Sequence, residues 1–238
     1  MTSRDDDARA SAPPAAAFPD HFSDASESYA RYRPRYPDAL YERLASVAPG
    51  RALCWDCATG SGQAAVALAE RFDAVVATDA SAEQLASARP HPRVEYRHER
   101  AERTSLAPAS VELVTVAAAL HWFELSSFYA EVRRVVRPGG VLAAWTYGVS
   151  VETSPAVDAI VDEYARELLG PYWAPQLEHV RERYRGLPFP FAPIELPPLA
   201  IELEWTLAQL LGKLNTWSAA GAYRRAHGRR ATAAIEAR

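Results

Sequence analysis

The sequence predicts an α/β protein, a parallel β-sheet of six strands with helices on both faces. Three observations carry that expectation. From Ala52 onward short apolar runs alternate with longer segments of helical periodicity, the order expected of strands joined by crossover helices. The turn after the first run carries Gly60 and Gly62 and leads straight into a helical segment. The chain has 238 residues, 49% of them hydrophobic, and a fold of that size buries roughly 70% of the surface its unfolded form exposes.

The elements follow in order. Apolar, β-branched runs place strands at Ala52 to Asp56, Ala74 to Thr78, Val94 to Arg97, Val111 to Ala117 and Val141 to Tyr147. Helices are expected over Gln63 to Arg71, Ala82 to Arg89 and Leu125 to Val136. Arg137-Pro138-Gly139-Gly140 reads as the turn into the fifth strand, because proline stops a helix and glycine tolerates unusual dihedrals. Beyond Tyr147 the alternation ends. Pro155 to Leu169 has an amphipathic helical pattern, and Pro171 to Pro198 contains seven prolines with several aromatics, which suits a lid. Ile201 to Trp205 alternates like a sixth strand, and Leu207 to Asn215 is helical. No internal repeat replaces this layout.

Upstream, residues 1–20 carry Asp5-Asp6-Asp7 and a proline-interrupted alanine run, the composition of a flexible tail. Residues 21–50 interleave Tyr29, Tyr32, Tyr36 and Tyr41 with Arg31, Arg33 and Arg35, and form either a cap over a pocket or an aromatic pad against the core.

Composition excludes several classes of function. With 26 basic and 30 acidic side chains the net charge is -4, which gives no global footprint for nucleic acid or an anionic membrane. No apolar run of 18 residues and no basic leader is present, so a cytoplasmic protein is the expectation. Cys54 and Cys57 are the two cysteines; their Cys-x-x-Cys spacing lies within an apolar strand and lacks a second pair, so neither zinc nor redox chemistry is expected.

The chemistry-bearing residues cluster at strand ends. Asp56 closes the first strand, and Gly60 and Gly62 let a ligand approach backbone N–H groups. Asp79 lies 23 residues after Asp56, placed either to receive two ribose hydroxyls or to cap the helix that follows. Ala101-Glu102, after the third strand, either borders a planar base or is solvated.

These marks, with Tyr29-Ala30-Arg31-Tyr32-Arg33-Pro34-Arg35-Tyr36-Pro37, Ala119-Leu120-His121-Trp122-Phe123 and Arg137-Pro138-Gly139-Gly140, resemble the class I S-adenosylmethionine-dependent methyltransferases, particularly the trans-aconitate methyltransferase-like branch. The resemblance is strong over residues 21–147 and weaker through Trp173, Phe189, Phe191 and Thr216-Trp217-Ser218-Ala219. It implies a Rossmann-like sheet and an S-adenosyl-L-methionine cofactor, with residues 51–147 as the cofactor-binding core, 148–198 as an insertion and 199–238 as a shortened C-terminal part of that core. By resemblance Asp56, Ala58, Gly60 and Gly62 face the methionine part, Asp79 holds the ribose, Ala101 and Glu102 flank adenine, and Arg31 pairs with the cofactor carboxylate. Tyr29, Trp122, Trp173 and Trp217 are candidates for binding the acceptor.

Two departures stand out. Ala58 replaces the first glycine of the family loop, which is compatible with close approach only if that position avoids glycine-favouring dihedrals. The usual last strand of a seven-stranded sheet has no counterpart, which leaves six strands and an edge either covered by a terminal helix or paired in a homodimer.

The resemblance implies in-line transfer of a methyl group to a small organic acceptor, with no metal. A carboxylate acceptor is already ionised at pH 7, whereas a phenol or amine needs a base, for which His121 is the candidate; phenol O-, N- and C-methylation stay open beside carboxyl O-methylation. His98, between Arg97 and Glu99, reads as solvated, and no Ser-His-Asp constellation is evident. An NAD(P)-dependent oxidoreductase and a noncatalytic cofactor-binding or assembly protein are the competing functions.

Overall fold

A computed structural model describes Tyr32, residues 34–147 and residues 152–236. Helix α1 (Asp38–Val47) precedes β1 (Leu53–Cys57), α2 (Gln63–Ala69), β2 (Ala74–Asp79), α3 (Ala82–Ala86), β3 (Val94–His98), β4 (Val111–Ala117), α4 (Leu125–Val135) and β5 (Val136–Trp145). The C-terminal region adds α5 (Pro155–Glu163), a π-helical turn (Tyr164–Leu168), the short α6 (Glu178–Arg181), α7 (Leu207–Asn215) and α8 (Ser218–His227).

All strand pairs are parallel and the sheet order is β3-β2-β1-β4-β5. The chain therefore runs outward from β1 in one direction, returns, and runs outward through β4 in the other. This reversal splays the connections at the C-terminal ends of β1 and β4 and opens a crevice there.

Strict alternation divides the central strands between two cores. Cys54, Val75, Ala77 and Leu113 join α1 and α2 on one face, where Leu44, Ala65, Leu68 and Phe72 are buried. Trp55, Cys57, Val76, Val114 and Val116 join Phe128, Val132 and Val135 of α4 on the other. Three residues apart in a strand, Cys54 and Cys57 point to opposite faces, and burial pushes both thiols up. A third cluster lies outside the sheet and unites Val161, Tyr164 and Leu169 with Leu214, Ala219, Tyr223 and Ile235.

The described sheet has five strands, not six. Residues 201–205 carry no strand hydrogen-bond pattern, despite their alternating Ile201, Leu203 and Trp205. Pro197 and Pro198 just upstream lack donors for a ladder, and although Ile201 packs on the first core, Leu199 and Leu203 are exposed, so the segment has no continuous buried face to fix its register. At β5 the ladder begins earlier than expected: Val136 pairs with Val111, Arg137 to Gly140 loop out with Gly139 at φ +79°, and Val141 resumes opposite Leu113.

One buried carboxylate ties this corner together. The Glu112 side chain is 1% exposed, accepts the Leu53 N–H at 2.7 Å where β1 begins, and pairs with Arg137 Nη1 at 2.7 Å where β5 loops out. Glu112→Ala leaves the Leu53 N–H without an acceptor and is expected to lower stability in urea unfolding by about 3 kcal/mol, whereas Glu112→Gln retains the acceptor and loses less than half of that.

Candidate functional site

The crevice at the strand ends opens into a cavity of about 510 Å³. Its floor is Ala58 and Gly60 after β1, Asp79 to Gln84 after β2, and Ala117 to Ala119 after β4. The opposite wall comes from Thr146 and Tyr147 after β5, from Trp173, Leu177 and Val180, and from Lys213 and Thr216 to Ser218. A mostly apolar concavity of this size with a few convergent polar groups matches small-molecule sites.

Asp79 organises the floor. Its Oδ2 accepts the Gly60 N–H at 2.8 Å and its Oδ1 accepts the Ser81 N–H at 2.8 Å, so one carboxylate joins the turns after β1 and β2. Burial raises its pKa, and the two N–H donors work against that shift. The capping role falls to Ser81, whose hydroxyl accepts from Gln84 N at the start of α3. Asp56 lies one layer below, 1% exposed and outside the cavity wall. It accepts Thr59 Oγ1 at 2.5 Å and Thr115 Oγ1 at 2.7 Å, and burial lifts its pKa to about 6 against those two hydrogen bonds. It shapes the loop from beneath.

The loop backbone is left-handed at three places, with φ of +54° at Ala58, +56° at Gly60 and +79° at Gly62. Ala58 therefore does adopt a glycine-like dihedral, at a cost of about 1 kcal/mol, and still lines the cavity. Ala118, after β4, repeats the strain at φ +55°. Gly62 serves packing: a Cβ there would stand 2.1 Å from the Tyr96 hydroxyl.

His121 and Trp122 lie in a 3₁₀ turn after β4 and both face the cavity, with ring centroids 4.8 Å apart. His121 Nδ1 is 3.1 Å from the Tyr184 hydroxyl, and burial, with His179 nearby, drops the imidazole pKa to about 4. The ring is neutral at physiological pH and a weak base. Trp173 and Trp217 pack at 5.5 Å as the outer aromatic wall, with Trp173 Nε1 donating to the Ala165 carbonyl.

Other expected residues sit elsewhere. Ala101 is buried in the second core, and Glu102 accepts from Arg100 Nε and Glu124 N, both at 3.2 Å; neither lines the cavity. His98 occupies that stretch of wall instead, its Nε2 2.9 Å from the Ala80 carbonyl oxygen. Phe189 and Phe191 pack on Tyr129, away from the cavity. Arg35 is exposed, and Tyr29, Arg31 and Arg33 lie outside the described residues. Tyr184, which touches His121 without lining the cavity, and the wall residue Lys213 escaped the sequence reading. Tyr184 carried no signal, since its partner is 63 residues away. Lys213 had one: it is the single lysine among 26 basic side chains.

The Asp79 bridge and the Gly60 turn fit a ribose-bearing cofactor, because they offer a carboxylate and a closely approachable backbone at the mouth of the sheet. Asp79→Ala removes the acceptor for both N–H groups and is expected to weaken S-adenosylmethionine binding by about 10- to 100-fold in calorimetric titration, with Asp79→Asn intermediate.

His121 predicts a pH dependence of stability. Its folded pKa of about 4 lies below the ordinary 6.5, so the unfolded chain binds the proton first and the stability present above pH 6.5 is lost as pH falls toward 4. Asp56, raised to about 6, acts in the opposite direction over much of this range, so the comparison must cancel it. The stability difference between wild type and His121→Gln, from urea unfolding, is expected to shift by about 2 kcal/mol against wild type between pH 7 and pH 5.

Comparison with known proteins agrees with this geometry. The methyltransferase domain family model matches residues 55–144. A Dictyostelium discoideum protein named as a methyltransferase is 34% identical over 209 residues, covering 87% of this chain and 80% of its own. A Saccharomyces cerevisiae protein named as an S-adenosylmethionine-dependent methyltransferase is 28% identical over 131 residues, 51% of this chain and 45% of its own. A solved structure from Anaeromyxobacter dehalogenans, bearing the name of a type II methyltransferase, superposes with a TM-score of 0.79 at 50% identity, covering 85% of this chain and 86% of that one. The nicotinamide alternative gives way to these findings. A parallel sheet with its crevice at the β1/β4 reversal, an aspartate-bridged glycine turn on that crevice, and the match to the Dictyostelium discoideum and Anaeromyxobacter dehalogenans proteins over most of their length place this chain in the class I S-adenosylmethionine-dependent methyltransferases.

Proposed function

We propose that the protein methylates a carboxylate of a small organic acid, as enzymes of the trans-aconitate methyltransferase type do. The observation that supports this reading is the neutral, weakly basic His121 beside the acceptor end of the cavity. Taking a proton from a phenol near pKa 10 onto an imidazole near 4 is uphill by about 8 kcal/mol, and an ammonium acceptor fares no better. A carboxylate has no proton to lose.

S-adenosylmethionine, when bound, supplies a methyl group activated by its sulfonium and leaves as a neutral thioether. The protein's own task is to align and to dry the site. Asp79 and the Gly60 turn would hold the nucleoside, His121 and Trp122 would border the reacting end, and Trp173 and Trp217 would exclude water over the acceptor. His121, kept in place by Tyr184, acts as a neutral hydrogen-bonding wall.

Incubation with isotope-labelled S-adenosylmethionine and a panel of small carboxylic acids, phenols and amines tests the reading. The expected product is an alkali-labile methyl ester, formed with kcat/KM nearly flat between about pH 6 and pH 8. Label found in an alkali-stable aryl ether or methylamine overturns it.

A further inference from the structure

Lys213 stands apart in the chemistry of this chain. Twenty-five of the 26 basic residues are arginine, and the one lysine lies in the cavity wall. Among the described residues that wall contains no other lysine or arginine; its remaining charged side chains are the carboxylates Asp79 and Glu83, on the floor after β2. The cavity is therefore polarised, acidic where the nucleoside is to be held and cationic on the opposite side.

The surroundings of Lys213 are built with care. It stands on α7, directly after Gly212, and a Cβ at Gly212 would lie 2.5 Å from the Tyr32 ring. A glycine inside a helix costs about 1 kcal/mol relative to alanine, and here it admits an aromatic ring from the N-terminal cap against the helix. Lys213 Nζ lies 5.1 Å from the centroid of Tyr147 and 3.5 Å from its hydroxyl oxygen. The ammonium head thus lies over an aromatic ring, in a stretch of cavity wall that Thr216 and Ser218 also line. Such an arrangement matches a small anion with an apolar body: the carboxylate meets the compact ammonium and the hydrocarbon meets Tyr147 and Trp217. A sulfonium cofactor adds a second positive charge to the cavity, which further favours an anion there.

We propose that Lys213 is the acceptor-binding residue and that the acceptor is a small organic anion bearing a carboxylate. This rests on the small-acid reading above and deepens it by naming the group that recognises the charge.

The single lysine makes the test direct. The full chain, saturated with S-adenosylhomocysteine, is treated with a succinimidyl acetate reagent in the presence of phenylacetate, 3-phenylpropanoate or glutarate, or of the primary amides of the two aryl acids. Peptide mass spectrometry then reads acetylation at Lys213, with the N-terminal amine as internal reference. One or more acids should slow modification of Lys213 by about fivefold or more, the amides should not, and the N-terminal amine should be unaffected. In Lys213→Met, titrated by tryptophan fluorescence, S-adenosylhomocysteine affinity should stay within about twofold while acid binding weakens by about tenfold, and Lys213→Arg should recover part of it.

Equal protection by acids and amides, or protection by neither, overturns the proposal. So does a loss of S-adenosylhomocysteine affinity in Lys213→Met, which would make the lysine a cofactor ligand. A protecting acid that receives its methyl group on another atom supports the lysine's role and refutes ester formation alone. A methyl ester formed by Lys213→Met at unchanged KM refutes the lysine's role alone.

Discussion

The site depends on one carboxylate serving two backbone turns. Asp79 ends β2, yet its oxygens accept N–H groups from the turn after β1 and the turn before α3. Without that bridge, two loops on neighbouring strands would each leave a donor unpaired in a half-buried place, at a cost of about 1–3 kcal/mol apiece. With it, the β1 turn holds the left-handed backbone that brings Gly60 to the cavity edge, and the start of α3 is fixed beside it. Asp56 reinforces the same turn from below through Thr59, so two carboxylates at different depths define one loop.

Depth also separates the chemistry of the ionisable groups. Asp56 and His121 are buried, and burial moves both toward neutrality, the carboxyl upward and the imidazole downward. Lys213 stands at the cavity edge beside Tyr147. Among the described residues the cavity wall thus carries one lysine and no arginine, with the carboxylates Asp79 and Glu83 on its floor.

The sheet was legible because its signals are local. Short apolar runs located all five described strands, with β4 matched at both ends, and the helical pattern of Leu207 to Asn215 matched α7. The error at Ile201 to Trp205 has the converse cause. Alternation reports a strand's faces, but pairing requires a neighbouring edge and usable donors, and a window of sequence contains neither. In the site, Gly60, Asp79, His121 and Trp122 were legible and line one cavity because strand ends converge wherever a parallel sheet reverses its order, and Trp173 and Trp217 join them from the cluster outside the sheet. Asp56 showed its position but not its depth. Tyr184 reaches His121 from a proline-rich stretch whose path no periodicity describes.

The cavity wall is drawn from separate cores. Its floor belongs to the sheet and the helices packed on it, whereas Trp173, Lys213 and Trp217 rise from the third apolar cluster or border it. Residues in different cores, without shared partners, tolerate replacement nearly independently. On the proposed reading, variation in the outer cluster would exchange one acceptor for another while the Asp79 and Gly60 turn stays as it is, so that diversification of substrates need not pass through forms that have lost their cofactor.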